Sequence, residues 1–176
     1  ASGLPSIEHY IKKILLVSDN EAYNRLYEFL GQKDFNKTMG NKGFEGVRFT
    51  HRLQTSIPLL ENQYTNPVQF INEQGEVIWQ QKEQFNKKQI TASTPILLGK
   101  GVMNDSGRII PHPVNFSFKN AYPLQAQHDF LKRLMFPGSF SKSEQFKLKA
   151  EDYTFLYRHM SQYPTESSYP SYHSDS

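Results

Sequence analysis

Ser18, Asp19 and Asn20 put a hydroxyl, a carboxylate and a carboxamide in three successive positions. Leu15-Leu16-Val17 precedes them and Glu21-Ala22-Tyr23-Asn24-Arg25-Leu26 follows, so the triplet is the polar corner between two helical patterns. Such a corner has two readings. As a cap, Ser18 and Glu21 have the S/T-x-x-E spacing of a capping box. As chemistry, a serine hydroxyl becomes reactive only beside a base, so the bases within reach decide its use. One Ser-x-x-Lys sets a lysine one helical turn from a serine: Ser139-Phe140-Ser141-Lys142. It lies beside Pro137-Gly138, far from the corner in sequence, and reads as chance spacing. His51, His112 and His128 show no metal-ligand spacing and read as structural or surface residues. No metal and no cofactor is expected.

Composition narrows the setting. The 176 residues are 37% hydrophobic, but 13 Phe and 10 Tyr can each bury a large area, which points to an aromatic-rich core. There is no cysteine, which excludes disulfides, thiolate metal ligands and a cysteine nucleophile. The net charge is +3, with Lys and Arg scattered among Glu and Asp, so nucleic acid is not an expected partner. No run approaches the ~20 apolar residues of a membrane-spanning helix. Ala1-Ser2-Gly3-Leu4-Pro5 has no basic region leading into an apolar run, so no signal peptide is expected in this chain.

Periodicity gives the elements that must position the corner. Ser6 caps a helix carrying Ile7, Tyr10, Ile11, Ile14 and Leu15 and ending near Val17. A second helix starts at the corner, buries Ala22, Leu26, Phe29 and Leu30, and stops at Gly31. A shorter helical piece spans Asp34 to Met39, and Phe44, Val47 and Phe49 mark an extended stretch. Residues 54–66 read as a loop. Val68–Ile71 and Val77–Trp79 flank Asn72-Glu73-Gln74-Gly75 as a hairpin, with Trp79 a packed aromatic. Residues 82–88 are a polar connection. A second hairpin runs from Ile96-Leu97-Leu98 and Val102-Met103 through Asn104–Gly107 to Arg108-Ile109-Ile110, ended by Pro111 and Pro113. A helix from about Pro123 carries Leu124, His128, Leu131, Leu134 and Met135. Another from Lys149 to Ser161 carries Tyr153, Leu156, Tyr157 and Met160. The whole is read as one unit over 1–162, with a β-hairpin insertion around 66–110 and an irregular tail over 163–176.

The stretch from Ser6 through Ser18-Asp19-Asn20-Glu21-Ala22-Tyr23-Asn24-Arg25-Leu26 to Gly31 resembles the serine β-lactamase and penicillin-binding-protein superfamily. More narrowly it resembles the Bacteroidetes-type, β-lactamase-like serine hydrolases. The likeness continues through Phe35, Gly40, Gly43 and Arg48, and from Phe116 to Pro164 it is similar to the remaining helices of the helical subdomain. The resemblance implies an α+β fold: the helical subdomain of the β-lactamase/transpeptidase-like fold with one or two inserted hairpins and the central sheet largely missing. It implies hydrolysis of an amide or ester through an acyl-enzyme, with Ser18 as proton relay, Asp19 orienting the loop and Asn20 binding substrate. It also implies a periplasmic or secreted location and a small-molecule or peptide substrate.

The sequence departs from the family pattern in three places. None of the 17 residues before Ser18 forms Ser-x-x-Lys, and no Lys-Thr-Gly follows Pro164. Lys37-Thr38-Met39-Gly40 is close in letters but broken by Met39. The deacylating glutamate of class A members has no clear counterpart. Glu61-Asn62 sits near the expected loop in surroundings that do not match. The expectation is an internal fragment of a larger enzyme, inactive by itself, whose partners are the N- and C-terminal portions of the same protein. The alternative is a non-catalytic binding or scaffold protein that keeps the helical subdomain.

Overall fold

Ser6 lies in extended backbone and its hydroxyl accepts the His9 N–H, which starts the first helix, α1 (Ile7–Val17). The computed structural model describes residues 4–167. Ser18 ends α1 and Asp19 caps α2 (Asn20–Leu30). Gly31, at φ 74°, breaks the chain between α2 and α3 (Gln32–Asn41). Its left-handed backbone suits glycine, and a Cβ there would collide with the Gln84 side chain. The third helix is longer than the periodicity predicts, because Gln32 and Lys33 start it immediately after the break. Two later helices, α4 (Leu124–Met135) and α5 (Ala150–Met160), lie close to where the sequence sets them. α1 packs on α2 and α5, and α2 packs on α3.

The β structure is four separate two-stranded antiparallel ribbons among the described residues. β1 (Tyr64–Thr65) pairs with β4 (Gln84–Phe85), and β2 (Val68–Ile71) pairs with β3 (Val77–Gln81). β5 (Leu97–Leu98) pairs with β8 (Val114–Asn115), and β6 (Val102–Met103) pairs with β7 (Ile109–Ile110). The fold is therefore α+β with few strands. Three details correct the sequence reading. The expected loop at 54–66 and connection at 82–88 carry a 3-10 turn (Glu61–Gln63) and the β1–β4 pair. β5 does not join β6; it pairs beyond Pro111 and Pro113 with β8, so the ribbon is longer than the expected hairpin. The stretch from Phe44 to Phe49 forms no strand, only a single bridge between Arg48 and Ala121.

The core is aromatic, as composition predicts. Met39, Phe44 and Ala126 are buried, with Phe35, Val47, Phe49, Tyr122, Phe130 and Phe146 packed against them. Phe35 and Phe49 stack with ring centroids 4.3 Å apart. On α4 the expected apolar stripe is turned outward: Leu124, Leu131 and Met135 are exposed, while Ala126 and Leu134 are buried. Phe130 joins the core from the same side. The small Ala126 and the ring of Phe130 fit the aromatic cluster, so packing overrides the aliphatic pattern. From the tail, a 3-10 turn (Pro164–Glu166) is described; residues 168–176 lie outside the described residues, as do 1–3.

Candidate active-site corner

Ser18 adopts left-handed backbone, φ 53° and ψ 42°, and its N–H returns to the Ile14 carbonyl. The Asp19 N–H reaches back to Lys13 in the same closure. A residue other than Gly in this conformation costs roughly 1–2 kcal/mol. The Ser18 side chain is exposed and makes no hydrogen bond among the described residues. The expected capping box therefore does not form, and a single side-chain cap one residue on takes its place. Asp19 Oδ1 accepts the Ala22 N–H at 2.8 Å, and its Oδ2 meets Lys13 Nζ at 2.5 Å. Those two partners, the Lys13 ammonium first and the Ala22 N–H second, hold the Asp19 carboxyl below the usual carboxylate range. Glu21, which a capping box would turn back, pairs with Arg25 at 2.7 Å. Ser18 serves the end of α1, so the start of α2 falls to the next acceptor.

Asn20 is the first residue of α2, and its Nδ2 donates to Gln54 Oε1 at 3.1 Å. Gln54 shares with Ser18 a positive φ, 56°; they are the only described residues other than Gly that do. Below this contact runs a ladder that the apolar periodicity does not reveal. At every fourth position from Asn20 stands a polar side chain, and each holds a residue of the segment running the other way. Asn24 Oδ1 accepts the Leu53 N–H at 2.8 Å and its Nδ2 donates to the Leu53 carbonyl at 3.0 Å. Glu28 accepts Arg52 Nε at 2.9 Å. Gln32 Nε2 donates to the Thr50 carbonyl at 2.8 Å, and Asn36 takes both the N–H and the carbonyl of Phe49. From the other side Asn62 Oδ1 accepts the Arg52 N–H, and Asn120 Oδ1 accepts the N–H groups of Thr50 and His51.

Residues 49–53 thus have their backbone satisfied by carboxamides in place of a neighbouring strand. The middle rung of the ladder is a buried ion pair. The side chains of Glu28 and Arg52 are 9% and 10% exposed, with Nη2 to Oε1 at 2.8 Å. Arg52 also donates to the Tyr64 carbonyl, and Asn66 donates to Glu28. Arg52 Nη1 is buried without a partner among the described residues. Tyr27 lies beneath the guanidinium, 5.8 Å from ring centre to Cζ, and donates to the Asn62 carbonyl. Burial pushes its hydroxyl up to about 12.

Two open cavities flank Arg52. One, about 450 Å³, contains His51, Gln54, Ser56 and Lys119 in its walls. The other, about 420 Å³, has Glu28, Glu61 and Glu83. Of the residues singled out from the sequence, Ser18, Asp19 and Asn20 come together at the corner, and Asn20 alone touches the loop. Glu61 does not face Asn20; it lies on the acidic side, and the group set against Asn20 is Gln54, an amide with no proton to take up. Lys37–Gly40 lies within α3 with Met39 buried, so it is no strand motif. Ser139 ends the 3-10 turn Pro137–Ser139 after α4. His51 has both ring nitrogens against backbone: Nδ1 with the Arg52 carbonyl at 2.7 Å, and Nε2 with the Asn120 N–H at 3.3 Å. Trp79 packs against Phe29 and Phe70 but keeps 41% exposure. No group of three His, Cys, Asp or Glu able to hold a metal stands among the described residues. Sequence reasoning missed Gln54, the ladder and the Arg52–Glu28 pair. The signal was present as polar residues at 20, 24, 28, 32 and 36, a helical stripe of the wrong polarity to be looked for.

The model of the β-lactamase enzyme family matches residues 2–102, more than half of the chain, and that span includes the corner, the ladder and both cavities' Glu and Gln residues. Comparison with curated proteins and with solved structures finds no match.

Proposed function

Since the chain belongs to the β-lactamase enzyme family, a family of serine hydrolases, we propose that its Ser18–Asp19–Asn20 corner is one wall of an acyl-transfer site. The observation that carries this reading is the Asn20 contact. A carboxamide has two N–H donors, and Gln54 takes one of them, so the second is left to hold a carbonyl of the substrate. Ser18, exposed and without a hydrogen-bond partner among the described residues, is free to pass a proton between a base and a leaving group. Asp19 does not touch substrate. It orients the corner through Ala22 and Lys13.

The substrate is a small amide or ester, attacked by a serine that this reading assigns to no residue of the chain. The chain alone is therefore inactive. In a chromogenic cephalosporin assay we expect no turnover above buffer. Turnover that Ser18→Ala abolishes would overturn that statement. Titrating benzylpenicillin into the nitrogen-15-labelled chain is expected to shift the Asn20 side-chain amide pair. Failure to shift it removes Asn20 as the substrate clamp. The reading carries with it a periplasmic or secreted location, which cell fractionation tests.

One observation favours a second reading. The side chain set against Asn20 is Gln54, and an amide cannot act as a base. This supports a non-catalytic binding or scaffold protein that has kept the helical subdomain. Slow or absent deacylation in a complex that does acylate would favour it.

A further inference from the structure

Gln54 faces two ways. Its Oε1 is engaged by Asn20, while its Nε2 donates no hydrogen bond among the described residues. Beyond it opens the cavity of about 450 Å³, and no Asp or Glu lines that cavity. His51 is occupied by backbone on both nitrogens and has nothing to offer a ligand. Lys119 differs: its ammonium makes no ion pair and no hydrogen bond among the described residues. The Ser56 hydroxyl is likewise without a partner there. The lining therefore presents donors and one uncompensated cation, with no fixed negative charge.

Across Arg52 the sign reverses, because the neighbouring cavity has Glu28, Glu61 and Glu83 in its walls. Arg52, with Thr55 and Ile57, lines both cavities, and its pair with Glu28 neutralises its own charge, so the bias of each cavity comes from its other residues. A carboxylate satisfies a set of unpaired donors and a free ammonium better than any neutral group does.

We propose that the cavity beyond Gln54 is a subsite for a carboxylate carried by the acyl portion of the substrate, read by Lys119 and Gln54. This rests on Asn20 as the substrate clamp, since Gln54 ties the two together. The acid-rich cavity on the far side of Arg52 rejects the same group.

The test uses two probes that differ in one group: the α-amide of N-acetylglutamic acid, which keeps its side-chain carboxylate, and the α-amide of N-acetylglutamine. Each is titrated into the nitrogen-15-labelled chain. The acid is expected to bind roughly fivefold tighter, the yield of one partly exposed ion pair. Its shifts should centre on Gln54, Ser56 and Lys119, and the preference should shrink at high salt. Lys119→Met, an exposed position that leaves the fold intact, is expected to bring the acid down to the level of the amide and leave the amide unchanged. Equal affinities for the two probes, or a preference that survives Lys119→Met, overturn the subsite. If in that case both probes still shift the Asn20 side chain, only the subsite falls. If neither shifts Asn20, the clamp falls and the subsite with it.

Discussion

Residues 49–54 and the ribbons between 68 and 115 both satisfy their backbone outside a helix, and they are held in opposite ways. In the ribbons the backbone is satisfied by a partner strand, as in the four-residue register from Val68 opposite Gln81 to Ile71 opposite Val77. The side chains are then left over: Ile78 is 67% exposed, Met103 68% and Ile109 70%. In residues 49–54 no strand lies alongside. Asn24, Asn36, Asn62 and Asn120 supply the donors and acceptors, and those side chains are drawn inside. A backbone ladder is indifferent to residue type, whereas a side-chain ladder requires specific ones. The candidate site sits at the end of the second kind. Its geometry depends on a few carboxamides and one ion pair.

That contrast can be broken at its strongest point. Glu28→Ala leaves Arg52 buried without its counter-charge and should cost about 3–5 kcal/mol in denaturant unfolding. The double change Glu28→Leu with Arg52→Met should recover most of the loss. If the single change costs less than 1 kcal/mol, the pair is not holding the ladder. Asn24→Ala orphans the Leu53 N–H, while the Leu53 carbonyl keeps the Thr55 hydroxyl, and should cost about 1–3 kcal/mol. Hydrogen exchange at Leu53 is the local readout, and unchanged protection there would mean that another group satisfies it. In the ribbons, Ile78→Thr should stay within about 0.5 kcal/mol, because it removes an exposed side chain and no backbone bond.

Ser18→Gly relieves the left-handed strain and should stabilise the chain by up to about 1 kcal/mol, while removing the hydroxyl proposed as relay. The smallest effect is with pH. The Asp19 carboxyl is held below its ordinary value, so its contribution is present above the unfolded value and is lost as pH falls through the folded one. The Ala22 amide resonance should move over that acid window. Asp19→Asn, which keeps an acceptor but has no charge to lose, should flatten the dependence.

The two α-helices nearest the corner were legible in the sequence for different reasons. α1 and its Ser6 cap follow from local spacing alone. α2 was placed correctly, yet its face was read as Ala22, Leu26, Phe29 and Leu30, and Leu30 is 45% exposed while Tyr27 and Glu28 are buried. Apolar periodicity finds the side of a helix that meets a hydrophobic core. It does not find a side that meets bare backbone, where buried groups must hydrogen-bond. On α4 the aliphatic pattern gave way for another reason: Ala126 and Phe130 fit the aromatic cluster, which leaves Leu124, Leu131 and Met135 exposed. The cap of α2 was read at Ser18 although Asp19 holds the Ala22 N–H, because the two termini compete for the same residues and spacing does not say which acceptor serves which end.

What the sequence by itself determined is local and compositional: the helices, the hairpin at 68–79, the aromatic core and the polar corner at Ser18–Asn20. Each follows from spacing within one or two turns or from residue type. Only the tertiary structure decided that Gln54 meets Asn20, that Arg52 is buried against Glu28, and that the two cavities differ in charge. Those pairings join residues 24 to 34 positions apart across an irregular segment. No periodicity encodes such a segment, because its partners are side chains on other elements and exist only once those elements have packed.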